Sequence, residues 1–509
     1  MKVLLPLIAL ALSFPAFADP DVDIVDIEAA GVRPLRPLVD SERLQASISK
    51  NKLLGHAEKL LEFSKLSNNN RAFGSKGHNA TVAYIKELLD ATGFYDTHLE
   101  TFVWPYSESN VSFSTEAKTY STAPFTYGPG GDIEAPLVKV NNVGCTLEDF
   151  PQEVAGNVAL ILRGECEFGL KVAYAGAAGA AGAILYNNVN EGFGSGGTLA
   201  QPSRPEGPYV PVGGISGLEG KALMAALAEG QEVVGKIHAT TFSEERYSSN
   251  VIATTKQGDK GNIIFAGAHS DSVPAGPGIN DDGSGTISIL EVALNLPRYR
   301  FKNAVRFGWW TAEEFGLVGS EYHVERLTDE QRQKIALYLN FDMLASPNSG
   351  YFVLDGDGSA SGSPAPAGSD HIENVFLDWY EKRGLKTGQA AFSGSSDYDA
   401  FLNVGIPVGG VNTGASGVKT VEGAEWWGGE AGVAYDVCYH AICDTVDNLR
   451  VPIWEHNTKA AAHAIATYAK ELPVGIPRER RASVASLLHD SMTYEERSHH
   501  ACDHGVVTH

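Results

Sequence analysis

Histidine and carboxylate side chains gather at four places in the second half of the chain. The first place holds His269 and Asp271, with Asp281 ten residues beyond. Imidazole nitrogen and carboxylate oxygen are donors that suit zinc, and a metal-bound histidine needs an acceptor for its other ring nitrogen. We therefore predict that His269 and Asp281 bind metal and that Asp271 orients the imidazole. Taken alone, the segment could also be a surface turn rich in Asp and Gly.

The second place is the adjacent pair Glu313 and Glu314, which follows an apolar segment ending at Trp310. Neighbouring carboxylates repel each other, so the pair is costly at the end of an apolar strand unless a cation neutralises it. One of the two can bind metal while the other faces a water molecule. For either residue singly, the alternative is a helix start, where the helix dipole favours Glu.

The third place is Asp342, which closes another apolar segment, and the fourth is Tyr439 with His440 between two cysteines. Asp355 and Asp357 form a further acidic pair. We interpret that pair as a turn, because the twelve-residue calcium loop of an EF-hand is absent around it.

The elements that must position these residues are continuous apolar strands separated by helices. Strands without polar alternation, joined by helices, predict a mostly parallel α/β sheet sandwiched between helices. Each of the four groups follows a strand or lies in a Gly-rich loop, so the groups can converge at one end of the sheet. The predicted strands are 262–268, 304–310, 335–341 and 351–354.

The stretch from about 115 to 240 differs in character, with many Gly and Pro residues. A short apolar strand at Val158–Leu162 and a helix of small residues over Val172–Ala181 predict a separate, small β-rich α+β domain.

Taken together and in this order, the four segments resemble the two-zinc leucine aminopeptidases secreted by bacteria and the fungal aminopeptidase Y group. The resemblance covers about residues 248–466, and it implies the zinc exopeptidase fold. Residues 161–168 and 180–187 similarly resemble a protease-associated (PA) domain, which implies an insertion that borders the active site.

The resemblance also implies a role for each site residue. Glu313 matches the family's general base. Tyr439 matches a residue whose hydroxyl stabilises the oxyanion formed during peptide hydrolysis, and the bond between Asp281 and Asp282 matches a cis peptide bond. The implied substrates are peptides with a free N-terminus, cut after a hydrophobic, Leu-like residue. Two zinc ions are the implied cofactors: His269, Asp281 and Asp342 hold one, and Glu314, His440 and the shared Asp281 hold the other.

Two other functions fit the same architecture. A carboxypeptidase or dipeptidase would need a basic cluster for the substrate carboxylate, and the motif loops contain no obvious one. A catalytically silent binding protein would have lost metal ligands, whereas all five ligands and the base are present here.

Composition bears on partners and location. A formal net charge of −23 opposes binding to nucleic acid or to an anionic membrane surface. Residues 1–18 read as a secretory signal peptide, and no other segment is long and apolar enough to be an anchor. We expect a secreted monomer, with a vacuolar location as the alternative.

Export permits disulfides and glycans. Four of the five cysteines form two clusters, and of the three possible pairings we predict pairing within each cluster, Cys145 with Cys166 and Cys438 with Cys443. The sequons at Asn79 and Asn110 predict glycosylation.

The predicted organisation has six parts. They are the signal peptide 1–18, the segment 19–67, a first peptidase part 68–114, the PA domain 115–240, a second peptidase part 241–472 and a polar tail 473–509. The segment 19–67 is either a removable pro-segment or the first helices of the fold.

Overall fold

The computed structural model describes residues 36–190, 192–193 and 196–477, together with the backbone of three short strands outside them. The predicted signal peptide and most of the predicted tail lie outside the described residues. No described helix combines the length and the apolar character needed to cross a bilayer.

The strands differ widely in length, from two residues to 22. They are β1 Val25–Glu28, β2 Gly31–Pro34, β3 Tyr95–Thr115, β4 Thr119–Tyr120, β5 Phe125–Thr126, β6 Gly131–Lys139, β7 Val158–Leu162, β8 Gly182–Tyr186, β9 Gly197–Thr198, β10 Val212–Ile215, β11 Val234–Thr255, β12 Asp259–His269, β13 Asn303–Trp310, β14 Ile335–Phe341, β15 Phe352–Leu354, β16 Gly388–Ala390, β17 Val408–Asn412 and β18 Val506–Val507.

The helices cover the sheet or join its strands. They are α1 Ser41–Ala46, α2 Lys50–Ser64, α3 Lys76–Ala91, α4 Phe168–Ala177, α5 Gly217–Ala228, α6 Gly283–Asn295, α7 Val318–Arg326, α8 Asp329–Lys334, α9 Ser369–Glu381, α10 Tyr398–Leu402, α11 Val421–Trp427 and α12 Val451–Lys470.

A parallel core lies at the centre of the large sheet. Strands β13, β12, β14 and β17 are neighbours in that order and run parallel. Strand β11 flanks this core antiparallel on one side and β15 on the other. The predicted α/β fold is confirmed, with antiparallel strands added at its margins.

Both faces of the core strands are buried, as their continuous apolar sequence predicts. In β14, Leu337 and Leu339 pack into one core cluster with α6 and α12, while Tyr338 packs into another with Phe401 of α10. Side chains alternate between the faces because successive residues of a strand point to opposite sides. Helices on both sides therefore hold the sheet rigidly, which fixes the positions of the strand ends.

Two long strands join the inserted domain to this core. Strands β3 and β11 pair antiparallel along their whole length. On its other edge, β11 pairs first with β6 of the insertion and then with β13 of the core. The insertion is thus an extension of the same sheet rather than a module on a loose linker.

The insertion contains the parallel strands β6, β7, β8 and β10 with helices α4 and α5. A disulfide joins Cys145 to Cys166, as predicted. The predicted helix Val172–Ala181 is displaced, because α4 covers Phe168–Ala177 and stops just before Gly179. Gly179 has a φ of +80°, a left-handed conformation that ends helices and that only glycine adopts without strain.

The first helices belong to the main core. Leu44 of α1 and both Leu53 and Leu60 of α2 are fully buried in the same cluster as α6 and α12. We propose that residues 36–67 stay in the folded protein, because their removal would expose this cluster. Any pro-segment would then end before residue 36.

Replacing Leu60 by Ala tests this placement. Deleting a fully buried leucine side chain costs about 2–5 kcal/mol of unfolding free energy, because the cavity closes only partly. We expect Leu60→Ala to lower the midpoint of urea unfolding, followed by tryptophan fluorescence. Leu66, which is 55% exposed, supplies the matched control Leu66→Ala, and equal behaviour of the two variants would contradict the placement.

Candidate metal centre and active site

The predicted site residues meet at the carboxyl ends of the parallel strands. Strand β12 ends on His269, β13 leads into a short 3₁₀ turn at Glu313–Phe315, and Asp342 follows β14 directly. Because adjacent parallel strands end at the same edge of a sheet, the three segments arrive together. The loop before α6 adds Asp281, whose peptide bond to Asp282 is cis.

The first group of donors surrounds His269, whose side chain is 1% exposed. Its Nε2 lies 3.1 Å from Asp281 Oδ1 and 3.7 Å from Asp342 Oδ1. Its Nδ1 lies 3.7 Å from Asp271 Oδ1, the residue predicted to orient the imidazole. The imidazole of His269 thus has Asp281 and Asp342 on its Nε2 side and Asp271 on its Nδ1 side, the last at a distance longer than a hydrogen bond.

The second group surrounds His440. Its Nε2 lies 2.9 Å from Glu314 Oε2 and 3.1 Å from Asp281 Oδ2. The two oxygens of Asp281 therefore face one histidine each, the arrangement that a carboxylate shared by two ions requires. The neighbouring disulfide, Cys438 with Cys443, is the predicted one.

Buried atoms without partners indicate what these groups lack. Glu314 Oε1 and Asp342 Oδ1 are shielded from solvent and form no hydrogen bond. A buried oxygen left unsatisfied carries its full desolvation penalty. Metal coordination would remove that penalty, so the donor set fits zinc.

Asp282 also lies within ligand distance of His269 and Asp342. Its oxygens, however, accept hydrogen bonds from the backbone N–H groups of His269, Gly285 and Met343, at 3.2, 2.8 and 3.1 Å. Asp282 therefore caps α6 and ties the strand ends together, which leaves Asp281 as the better ligand.

The pKa values show how strongly the cluster attracts positive charge. Burial alone would lower the pKa of His440, but the carboxylates of Glu314 and Asp281 outweigh it and hold that pKa well above its ordinary value. Burial raises the pKa of Glu313, and the charges of Glu314 and Asp397 raise it further. Several carboxylates in one water-poor place need a cation to remain ionised.

Glu313 faces the open part of the site. Its backbone N–H donates to Asp271 Oδ1 at 3.1 Å, so Asp271 holds the Glu313 backbone, while its predicted role towards His269 stays a prediction. A cleft of about 380 Å³ is lined by Glu313, by the ligand residues and by Tyr439, whose ring stacks on that of His440 with centroids 3.8 Å apart. The structure thus brings together all the predicted catalytic and metal-binding residues.

The inserted domain and the strand β3 that joins it to the core form a further wall of the cleft. Ser109 comes from β3, Thr126 from β5 and Thr198 from β9. Asn110 also lies on this wall, and its side chain is exposed, as is that of Asn79 on α3. Glycosylation of the two sequons remains a prediction.

Two residues that support the site have no role in the sequence-based prediction. Asp444 accepts from the backbone N–H groups of Asn280 and Asp281 at 2.9 and 3.1 Å. Arg71 is fully buried, and its guanidinium donates to the backbone carbonyls of Ser270, Pro277 and Gly278. Together they hold both ends of the loop that carries Asp281.

Arg71→Lys should loosen this loop. A lysine keeps the charge but lacks the planar guanidinium group that donates to three carbonyls. Loss of a group that supports metal ligands lowers metal affinity by about 10–100-fold. We expect about a tenfold higher zinc dissociation constant, measured by chelator competition, and a lower melting temperature. The exposed Arg43 provides the control Arg43→Lys, and unchanged zinc affinity in Arg71→Lys would contradict the role of Arg71.

Comparison with known proteins places these features in a family. Residues 250–465 match peptidase family M28, and residues 133–223 match the PA domain. Leucine aminopeptidase 2 of Arthroderma otae is 45% identical over 441 residues, covering 86% of this chain and 88% of that protein. The probable leucine aminopeptidase 2 of Aspergillus oryzae is 44% identical over 455 residues, covering 89% and 91%.

Solved structures agree with this assignment. An aminopeptidase from Aneurinibacillus sp. strain AM-1 is 25% identical and superposes with a TM-score of 0.68, over 86% of this chain and 98% of that one. A zinc aminopeptidase from Bacillus subtilis, 22% identical, has a TM-score of 0.57 over 87% and 97%, which shows the shared fold. The chain belongs to peptidase family M28 and carries a PA domain within its sequence.

Proposed function

We propose that this protein is a two-zinc aminopeptidase that removes single residues from the N-termini of peptides. The observation that carries the proposal is the convergence of two histidines on the two oxygens of Asp281, with Glu313 open to the cleft beside them. The relatives named as leucine aminopeptidases support this choice of reaction.

The proposed ligand sets divide the donors between the two histidines. His269, Asp281 and Asp342 would hold one ion, and His440, Glu314 and the shared Asp281 the other. When bound, the zinc ions supply a Lewis acid for the scissile carbonyl and make a water molecule acidic enough to attack at neutral pH.

Glu313 is the proposed general base. Its side chain is 10% exposed, so it is shielded from bulk water yet still reaches the cleft. Burial raises its pKa, which brings a carboxyl group nearer to the range in which it can both accept and release a proton. Glu313 would take the proton of the attacking water and pass it to the leaving amine.

Tyr439 is the proposed oxyanion donor. It lines the cleft beside His440, on the side of the second ligand group. A phenolic O–H directed at the developing oxyanion stabilises the transition state more than the substrate.

The shape and charge of the cleft favour an exopeptidase. The wall formed by the inserted domain closes one side, and a volume of about 380 Å³ suits a ligand of small-molecule size. An endopeptidase needs a groove through which an extended chain can pass.

Carboxylates around the ions would attract the free α-ammonium group of a substrate. The relatives' names suggest leucine as the residue removed.

We further propose that the enzyme is secreted and acts as a monomer. Two disulfides are typical of proteins that fold in an oxidising compartment. A vacuole would also provide such an environment, so a vacuolar location stays the alternative.

The Glu313→Gln variant tests the proposed reaction. It keeps the size of the side chain but removes the base, so we expect hydrolysis of Leu-p-nitroanilide to fall by about 10²–10⁴-fold. The matched control is Glu325→Gln on the exposed side of α7, which should keep wild-type activity. N-acetyl-Leu-p-nitroanilide should remain uncut by every protein, and a chelator should abolish the wild-type activity.

Other outcomes would redirect the proposal. Cleavage of the acetylated substrate would contradict dependence on a free amine. If the zinc-loaded protein cuts neither substrate but releases C-terminal residues from peptides, the protein is a carboxypeptidase of the same fold. A lack of any hydrolysis would point to a silent binding protein.

Tyr439→Phe separates transition-state stabilisation from substrate binding. Losing one oxyanion donor should lower kcat by about 10²–10³-fold, while KM changes little because the hydroxyl acts mainly in the transition state. Steady-state kinetics with Leu-p-nitroanilide measures both constants. Tyr247→Phe, at a position that is 72% exposed, is the control, and a change confined to KM would contradict the assigned role.

A further inference from the structure

A second group of carboxylates lies away from the proposed active centre. One oxygen from each of Asp355, Asp357 and Glu373 lies within 4.8 Å of the other two. The two aspartates follow β15 and Glu373 comes from the next helix, α9, so a strand end and a helix together build the group.

Asp355 is the buried centre of this group, with no exposed surface. Its Oδ2 accepts from the backbone N–H groups of Ala360 and Ser361, at 3.2 and 2.7 Å. Its Oδ1 is shielded from solvent and has no hydrogen-bond partner. A buried carboxylate oxygen is rarely left in this state unless a further ligand completes it.

Glu373 and Asp357 complete the group from two sides. Glu373 is 2% exposed, and its two oxygens accept from Gln389 Nε2 at 2.8 Å and from the backbone N–H of Asp357 at 3.0 Å. The side chain of Asp357 is exposed, and it accepts from the Ser359 N–H at 2.7 Å. The group is therefore closed on the protein side and open to solvent through Asp357.

In the part of the chain that the structure describes, no basic side chain balances the charges of this group. Within the described ranges, these carboxylates accept hydrogen bonds from amide groups and, for Asp357, also interact with the Ser359 side chain, and none of the three is paired with Lys, Arg or His. Burial raises the pKa of Glu373, and the neighbouring Asp357 and Asp355 raise it further. Hydrogen bonds with Ser359 lower the pKa of Asp357, so it is the raised pKa of the buried Glu373 that a nearby cation would offset.

We propose that Asp355, Asp357 and Glu373 bind one calcium ion, separate from the catalytic metals. All the donors are oxygen atoms, which suits a hard cation rather than zinc. Calcium accepts six to eight oxygens in flexible geometry, whereas magnesium demands a near-ideal octahedron. Two closely spaced aspartates on an irregular turn, with water completing the shell at the exposed side, match the flexible requirement.

The ion would fasten the turn after β15 to α9 and, through Gln389, to strand β16. The Asp355 N–H donates to the carbonyl of Ala390 at the end of β16. From there the chain runs to Ser395, which lines the active-site cleft, and to Ser396, whose hydroxyl donates to Asp342 at 2.6 Å. The calcium site therefore anchors the base of a loop that borders the cleft.

Calcium binding to the full zinc-loaded chain tests this proposal without using activity. Equilibrium dialysis against about 1 mM calcium chloride, near the affinity range of extracellular calcium modules, measures the bound ion. Thermal unfolding with and without the same calcium measures its effect on stability. Asp357→Asn is the main variant because its exposed side chain can change without disturbing the core, Glu373→Gln is the second, and Glu381→Gln at the exposed end of α9 is the matched control.

We expect one calcium per chain in the wild type and in Glu381→Gln, with a rise in melting temperature of about 2 °C or more. Both responses should be lost in Asp357→Asn and Glu373→Gln. Absence of bound calcium in the wild type, or equal binding by all four proteins, would overturn the proposal. An equal thermal shift with magnesium would overturn the assignment to calcium.

Discussion

Repulsion among buried carboxylates is the constraint on which the rest of this structure depends. Asp281, Glu314 and Asp342 lie within a few ångströms of two histidines, and Glu314 and Asp342 each have a buried oxygen without a hydrogen-bond partner. Desolvation and like charge together make such a cluster unstable unless cations neutralise it. The fold must therefore hold the carboxylates in place firmly enough for metal binding to repay the cost.

The parallel sheet meets this requirement because strand ends are rigid and adjacent. Strands β12, β13 and β14 are covered by helices on both faces, so their carboxyl ends have little freedom. Arg71 and Asp444 then fix the loop that brings Asp281 to the same edge. The inserted domain, continuous with the sheet through β3 and β11, adds a further wall to the cleft.

Much of this was predictable because the signals are local. The bounds of the strands Val158–Leu162 and Ile335–Phe341 followed from continuous apolar runs. The histidines and carboxylates proposed to bind metal were recognisable by their residue type and by their position just after predicted strands. Arg71 gave no local signal, since its partners lie about 200 residues away. Glu373 was missed for a similar reason, because only the packing of α9 brings it beside the turn at Asp355 and Asp357.

The most direct test of the central claim is the anomalous diffraction of zinc-soaked crystals, recorded on both sides of the zinc absorption edge. The account predicts two zinc peaks, one on each side of the Asp281 carboxylate, with His269 and Asp342 contacting the first and Glu314 and His440 the second. A single peak, or two peaks that do not share Asp281, would contradict it.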